Sequence, residues 1–282
     1  MRVWLVVQRL IDLHLHTTAS DGALAPSALV LEARAAGLSI FSITDHDTTA
    51  GCEAAAASAR AAGLELIPGI EISAVADGRD VHMLGYFIDT ASAPLREFLV
   101  RQRGDRLRRV HEIGARLAAL GAPVDVEPIA ADAARGRSVG RPQIAAALLA
   151  AGHVATRNEA FDRFLGAGGP AFVPRRGSHP EEVIGIIHDA GGLASLAHPG
   201  VTRRDDLLPA LAAAGLDALE VRHSDHDAEM EARYRAHARE FGLAVSGGSD
   251  FHGEAGHRIS ILGQVTLPPE DLAGLRARRM RG

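Results

Sequence analysis

The sequence predicts an α/β fold whose strands close into a barrel. Two observations carry this. Short apolar runs alternate with Ala-rich segments of helical period, and prolines and glycines sit where helices should start and stop. Seven or eight such units favour a barrel over an open sheet, and 282 residues suit one barrel carrying an insert.

In chain order, strands are expected at 10–15, 39–44, 65–72, 81–88, 192–197, 218–222, 243–247 and 261–266. Helices are expected at 26–36, 50–62, 180–190, 205–214 and 227–241. Pro26 and Pro180 occupy first-turn positions, and Gly37, Gly63, Gly191, Gly215 and Gly242 fall where C-terminal caps belong. The apolar stretch 3–7 is too short for a signal peptide, and no run is long enough to cross a bilayer. A cytoplasmic protein without a membrane partner is the expectation. The rhythm breaks between 94 and 169, where only helical patterns occur, at 94–120, 140–151 and 158–165. Residues 97–167 are therefore expected as a helical insert or lid, between barrel segments 10–96 and 168–282. Inserts on the C-terminal edge of barrel strands build active-site walls.

Composition narrows the function. The chain has no lysine, so 30 arginines face 35 acids for a net charge of −5. That balance argues against a polyanion-wrapping surface and against a DNA duplex as partner. Cys52 is the single cysteine, which excludes a disulfide framework and a Cys-based zinc site. Hydrophobic residues at 47% with only 4% aromatics imply an aliphatic core. The anomaly is 14 histidines, and they are not scattered at random.

Asp12-Leu-His14-Leu-His16 places two imidazoles on one face of a strand, where they can chelate one ion, with Asp12 behind them. Asp21 follows on the loop above. Thr44-Asp45-His46-Asp47 ends the second strand; His46 is the expected ligand, while Asp47 suits a helix N-cap. Glu71, flanked by isoleucines, is a carboxylate that needs a cation. His82 comes from the next strand, and His198 ends another in Ala197-His198-Pro199. Asp250 and His252 close the series in Gly247-Gly248-Ser249-Asp250-Phe251-His252. Strand ends converge at one barrel mouth, so these groups should meet there. They exceed one ion's needs and suit two or three divalent ions with N/O ligands.

In this order DLHLH, TDHD, GIE, a histidine in the fourth strand, AHP and GSDFH resemble the PHP (polymerase and histidinol phosphatase) superfamily. HLHTTASDG, SITDHDT, GIEIS and SGGSDFH are most similar to its stand-alone bacterial phosphoesterases: nucleoside 3′,5′-bisphosphate phosphatases, also described as 5′-to-3′ exoribonucleases. The resemblance implies a distorted (β/α)7 barrel, the PHP fold, with a small helical insert. It also implies three ion clusters: His14, His16, Glu71 and Asp250; Glu71 with His82 and His198; and Asp21, His46 and His252. The family often has histidine at the position of Asp21, and aspartate suits a harder ion. Manganese is the expected metal, with zinc or iron as alternatives.

Such a cluster would carry hydrolysis of a phosphate ester by metal-activated hydroxide. His198 and His223 are the candidate catalytic acids for the leaving group. Phosphate recognition should fall to arginines, with Arg137, Arg141, Arg175, Arg176 and Arg222 as candidates, joined by His223 and His257. The arginines at 101–109 are read as a surface face of their helix. The leading function is removal of the 3′-phosphate from nucleoside 3′,5′-bisphosphates. The alternative is 5′-to-3′ trimming of short 5′-phosphorylated RNA; a histidinol-phosphate-type phosphatase and a non-catalytic metal-binding domain are weaker. A small nucleotide or a short RNA is the expected partner, and the sequence leaves oligomeric state open.

Overall fold

The computed structural model describes residues 9–253 and 262–281. Helical and extended segments alternate through it: β1 (Leu10–Leu15), α1 (Pro26–Ala35), β2 (Leu38–Ile43), α2 (Ala50–Ala62), β3 (Glu65–Ala76) and β4 (Arg79–Tyr86). A helical stretch follows, with α3 (Ala93–Ala119), α4 (Glu127–Ala134), α5 (Arg141–Ala150), α6 (Arg157–Ala160) and a π-turn at Phe161–Leu165. The rhythm then resumes as α7 (Pro180–Asp189), β5 (Leu193–Leu196), α8 (Pro199–Thr202), α9 (Leu208–Ala213), β6 (Ala218–Arg222), α10 (Ala228–Glu240), β7 (Ala244–Gly247) and α11 (Pro269–Arg279). Among the described residues, no helix is long and apolar enough to cross a membrane.

Local chemistry explains the boundaries. In α1, Pro26 supplies a preset first turn, and Leu29, Val30 and Ala33 bury one face. In α2, Cys52, Ala55 and Ala59 do the same, and Gly63 ends the helix in the left-handed region at φ 71°.

Among the described residues seven strands form one sheet in sequence order, the mixed α/β architecture and the strand count that the resemblance implied. The strand order hides one departure from repeated βα units: β4 runs antiparallel to both β3 and β5. No helix separates β3 from β4. Asp77 and Gly78 make the turn, both at positive φ (49° and 71°), the geometry of a two-residue type I′ hairpin. The expected eighth strand does not form: 262–265 are turn and bend, Ile261 lies outside the described residues, and Leu267 N–H instead donates to Ile11 O (2.8 Å). The sheet's two ends meet past β7. Leu15 bridges to Phe251 in parallel, His16 N–H donates to Phe251 O, and Asp250 N–H donates to His14 O.

Two apolar cores share one helix. Ile70, Ile72, Val81 and Met83 of the hairpin pack on Leu95, Phe98 and Leu99 of α3 and on Val183, Ile184 and Ile187 of α7. Further along α3, Val110, Ile113 and Leu117 pack instead with Ile144, Leu148, Phe164, Leu165 and Val173. Each fully buried aliphatic side chain contributes about 1.5–3 kcal/mol, so both halves of α3 are firmly held. The helical stretch also contains α4, which the sequence pattern did not predict.

Candidate metal centre

Glu71 is the hub. It is 1% exposed, and five imidazole nitrogens surround its two oxygens: His14 Nε2 (3.3 Å), His16 Nε2 (3.2 Å) and His46 Nδ1 (3.1 Å) at Oε2, and His82 Nδ1 (2.8 Å) and His198 Nε2 (3.2 Å) at Oε1. Asp250 Oδ1 lies 3.1 Å from His16 Nε2 and 3.4 Å from His14 Nε2. Asp21 faces His16, His46 and His252 at 3.6, 3.7 and 3.3 Å. All nine residues expected as ligands thus converge.

The strands deliver them in different ways. His14 projects from β1 and His16 from the residue just past its end, and both are fully buried, forming the floor. His82 lies near the start of β4, so in a parallel strand it would sit at the far end of the barrel. Because β4 is antiparallel, His82 pairs with Ser73 near the end of β3 and reaches the mouth. His198 and Asp250 are both in left-handed backbone (φ 26° and 54°), a strained conformation that concentrates at functional sites. Gly248 permits a close approach to the floor: a Cβ there would lie 2.3 Å from His14 N.

The donors fit divalent cations. Nitrogens of His16, His46, His82 and His198 are buried without a hydrogen-bond partner. Orphaned buried polar atoms are rare and call for an ion or water. Donors about 3.1–3.7 Å apart match ligands that share an ion about 2.0–2.2 Å from each. Four overlapping groups of donors arise: His16, Asp21, His46, His252; His14, His16, Asp250; His46, Glu71, His82; and His14, Glu220, His223.

Electrostatics point the same way. Burial, the largest influence, would raise the carboxyls of Glu71, Asp21 and Asp250, yet surrounding imidazoles hold all three well below their ordinary values. Burial would correspondingly lower His16, but the carboxylates of Asp250 and Glu71 beside it push it up to about 10. Without cations, protons on imidazole supply the positive charge that these buried carboxylates demand.

A pocket of about 200 Å³ opens over the cluster, lined by His46, Glu71, His82, His198, Val201, Asp250 and His252. His223 is not at its rim. It is 2% exposed, with Nε2 facing Asp250 Oδ2 (3.4 Å) and Nδ1 accepting from Asp225 N–H (3.1 Å).

The arginine candidates mostly end on internal partners. Arg137 donates to Thr18 O and pairs with Asp132. Arg141 and Arg175 share Asp80, and Arg175 also reaches Asp47. Arg222 pairs with Glu231. Arg176 is exposed and lines an outer pocket with Arg101 and His179. His257 lies outside the described residues. The expected surface face at 101–109 is also corrected, since Arg106 and Arg109 are buried inside the helical stretch.

TDHD divides its labour in a way that spacing did not reveal. Asp45 accepts from Thr17 N–H, Thr17 Oγ1 and Ser20 Oγ, fastening the loop before Asp21. His46 faces the site. Asp47 does not cap α2; it accepts from Arg106 Nε (2.6 Å), Arg175 Nη1 (3.3 Å) and Ser73 N–H. Asp12, placed behind the histidine rings by the strand pattern, instead accepts backbone N–H from His14 and Ser249, and burial pushes its carboxyl up to about 7.

Glu220 was missed. It is fully buried in β6, with Oε1 on His14 Nδ1 and Oε2 on His198 N–H. The signal was present: a lone carboxylate in the apolar run Ala218-Leu219-Glu220-Val221, as at Glu71.

Comparison with known proteins agrees with this geometry. The PHP domain family model matches residues 12–163. A 5′-3′ exoribonuclease of Haemophilus influenzae is 37% identical over 246 residues, covering 86% of this chain and 89% of that protein. A 3′,5′-nucleoside bisphosphate phosphatase of Chromobacterium violaceum is 34% identical over 256 residues, covering 88% and 90%. A crystal structure from Bifidobacterium adolescentis, classed as a metal-dependent phosphoesterase, superposes with a TM-score of 0.85 at 35% identity and covers 96% of each chain.

Proposed function

The chain belongs to the PHP family and is a phosphoesterase, and from that premise we propose that it removes the 3′-phosphate of nucleoside 3′,5′-bisphosphates in the cytoplasm. The carrying observation is Glu71, one carboxylate within 3.3 Å of five imidazoles. His14, His16, Glu71 and Asp250 would hold one divalent ion; Glu71, His82 and His198 a second; Asp21, His46 and His252 a third. Manganese is our expected metal because the family resemblance implies it; the mixed imidazole and carboxylate donors fit zinc or iron as well, and Asp21 adds a hard oxygen.

When bound, the ions supply Lewis acidity and acidify water. The chain's own residues orient and select. Glu220 fixes the His14 ring and the His198 turn from below. Arg141 and Arg175 flank Asp80, two residues from His82, and would take the substrate's second phosphate in exchange for that carboxylate. His198 borders the open pocket, but as a ligand of the second ion it would have no acidic proton to give the leaving alkoxide, and His223's burial behind Asp250 disfavours the same role there. Manganese-loaded protein should release phosphate from adenosine 3′,5′-bisphosphate much faster than from adenosine 3′-monophosphate. Equal rates would remove the two-phosphate reading.

A second reading, 5′-to-3′ trimming of short RNA, is supported by the exoribonuclease relative and by the partly exposed His82 and His252 at the pocket's rim. Stepwise products from a 5′-phosphorylated pentaribonucleotide, absent with a 5′-hydroxyl, are its expected signature.

A further inference from the structure

Asp21 is the one carboxylate in the donor group of His16, Asp21, His46 and His252, yet it belongs to no strand or helix. Three consecutive carbonyls before it accept hydrogen bonds from a single short segment of the helical stretch. Thr18 O accepts from Arg137 Nε (2.6 Å), Ala19 O from Ser138 N–H (2.8 Å) and Ser20 O from Gln143 Nε2 (2.9 Å). Gln143 is itself aimed by its other amide atom, whose Oε1 accepts from Gly140 N–H (2.8 Å) at the start of α5. Thr48 Oγ1, two residues past His46, donates to Gly136 O (3.2 Å).

The ligands around Glu71 are held by the sheet itself. His14, Glu71 and His82 ride on strands, His16 follows β1 with its N–H on Phe251 O, Asp250 N–H is bound to His14 O, and His198 is held by Glu220. Among the described residues, the helical stretch reaches their neighbours Asp80, Ser73 and Asp47 but none of these ligands.

We propose that residues 136–143 are a clasp for the third ion's site: Arg137, Ser138 and Gln143 are positioning residues that hold Asp21 toward His46 and His252. Docking of the helical stretch then sets the occupancy of that ion alone, while the two ions around Glu71 bind independently of it. The proposal rests on the ligand reading above. Its physical basis is that a loop carboxylate free to move loses the pre-organisation that makes it a ligand, and loss of an outer partner costs about 10–100-fold in metal affinity.

The test is metal counting, by plasma mass spectrometry after equilibrium dialysis against manganese, with calorimetric titration of the stripped protein. Gln143→Glu keeps the acceptor for Gly140 N–H but removes the donor to Ser20 O. Combined with Arg137→Met, it opens two of the three clasp bonds. We expect the double variant to hold one ion fewer than the parent, with its weakest site weakened at least about tenfold and the tighter sites unchanged. Amide exchange should accelerate in 17–22 and not in β1 or β3. Asp21→Ala is the reference and should lose the same ion.

If Asp21→Ala loses that ion while both clasp variants bind like the parent, the clasp is wrong and the ligand reading survives. If Asp21→Ala binds a full complement, the ligand reading fails and takes the clasp with it. Uniform weakening of every site, in the double variant and in the milder Gln143→Glu, would also overturn the proposal, because the effect would be global.

Discussion

Glu220 Oε1 lies 2.9 Å from His14 Nδ1, with both side chains fully removed from solvent. This contact fixes which nitrogen of His14 faces the pocket, because Nδ1 is engaged below and Nε2 is left toward Glu71 and Asp250. Glu220 also accepts the N–H of His198, so one carboxylate orients side chains from two strands.

Glu220→Gln is therefore expected to keep the fold and lower metal affinity by about 10–100-fold, as loss of an outer partner does. Titration of stripped protein with manganese measures it. An unchanged isotherm would reduce Glu220 to a packing role.

Glu71→Gln should be more damaging. It preserves shape but removes the charge of the carboxylate that faces five imidazoles at once, leaving Asp250, Asp21 and Glu220 around the edges of the group. A fall in kcat of at least about 10²–10³-fold is expected, with KM less affected. Steady-state phosphate release distinguishes this from simple loss of substrate binding.

Chelation followed by thermal melting gives a third check. Ions that bind only the folded cage stabilise it by mass action, about 2.7 kcal/mol at a hundredfold excess over Kd. The melting temperature should fall on stripping and recover with manganese. A protein whose melting point ignores the metal would have no such cage.

Asp47 and Arg106 join the helical stretch to the barrel through a buried pair 2.6 Å apart. Burial would raise the Asp47 carboxyl, but Arg106 and Arg175 together hold it below its usual value. Arg106→Met leaves Asp47 with Arg175 alone and should cost about 3–5 kcal/mol, as breaking a buried ion pair does. Urea unfolding of the variant measures that cost.

Cys52 is 4% exposed, and burial pushes its thiol up to about 11. It should resist alkylation at pH 8 in native protein and react only on unfolding, since the thiolate is the nucleophile. Rapid native labelling would mean that α2 opens locally.

Much of the site could be read before folding because its residues lie where a strand ends or just beyond. His14, His16, Glu71, His198 and Asp250 were each marked by a polar group closing an apolar run. The same signal at Glu220 was passed over, although it sits inside an apolar run as Glu71 does. The arginines illustrate the opposite limit. Arg141 and Arg175 were readable as phosphate ligands, but the carboxylates they now hold, Asp80 and Asp47, are distant in sequence and emerge only when the helical stretch docks.

The alternation of apolar runs, glycine caps and histidines determined by itself an α/β fold built around cations, because periodicity and donor chemistry are local properties; that the chemistry is phosphoester hydrolysis came from the motifs' resemblance to the PHP superfamily. Which way β4 runs was decided by the Asp77-Gly78 turn and by pairing on both of its edges, and that direction brings His82 to the mouth. The separate tasks of Asp45, His46 and Asp47 were likewise settled by tertiary contacts. Adjacent residues can share a composition, but only packing chooses whether each meets a loop, a cation site or a helix.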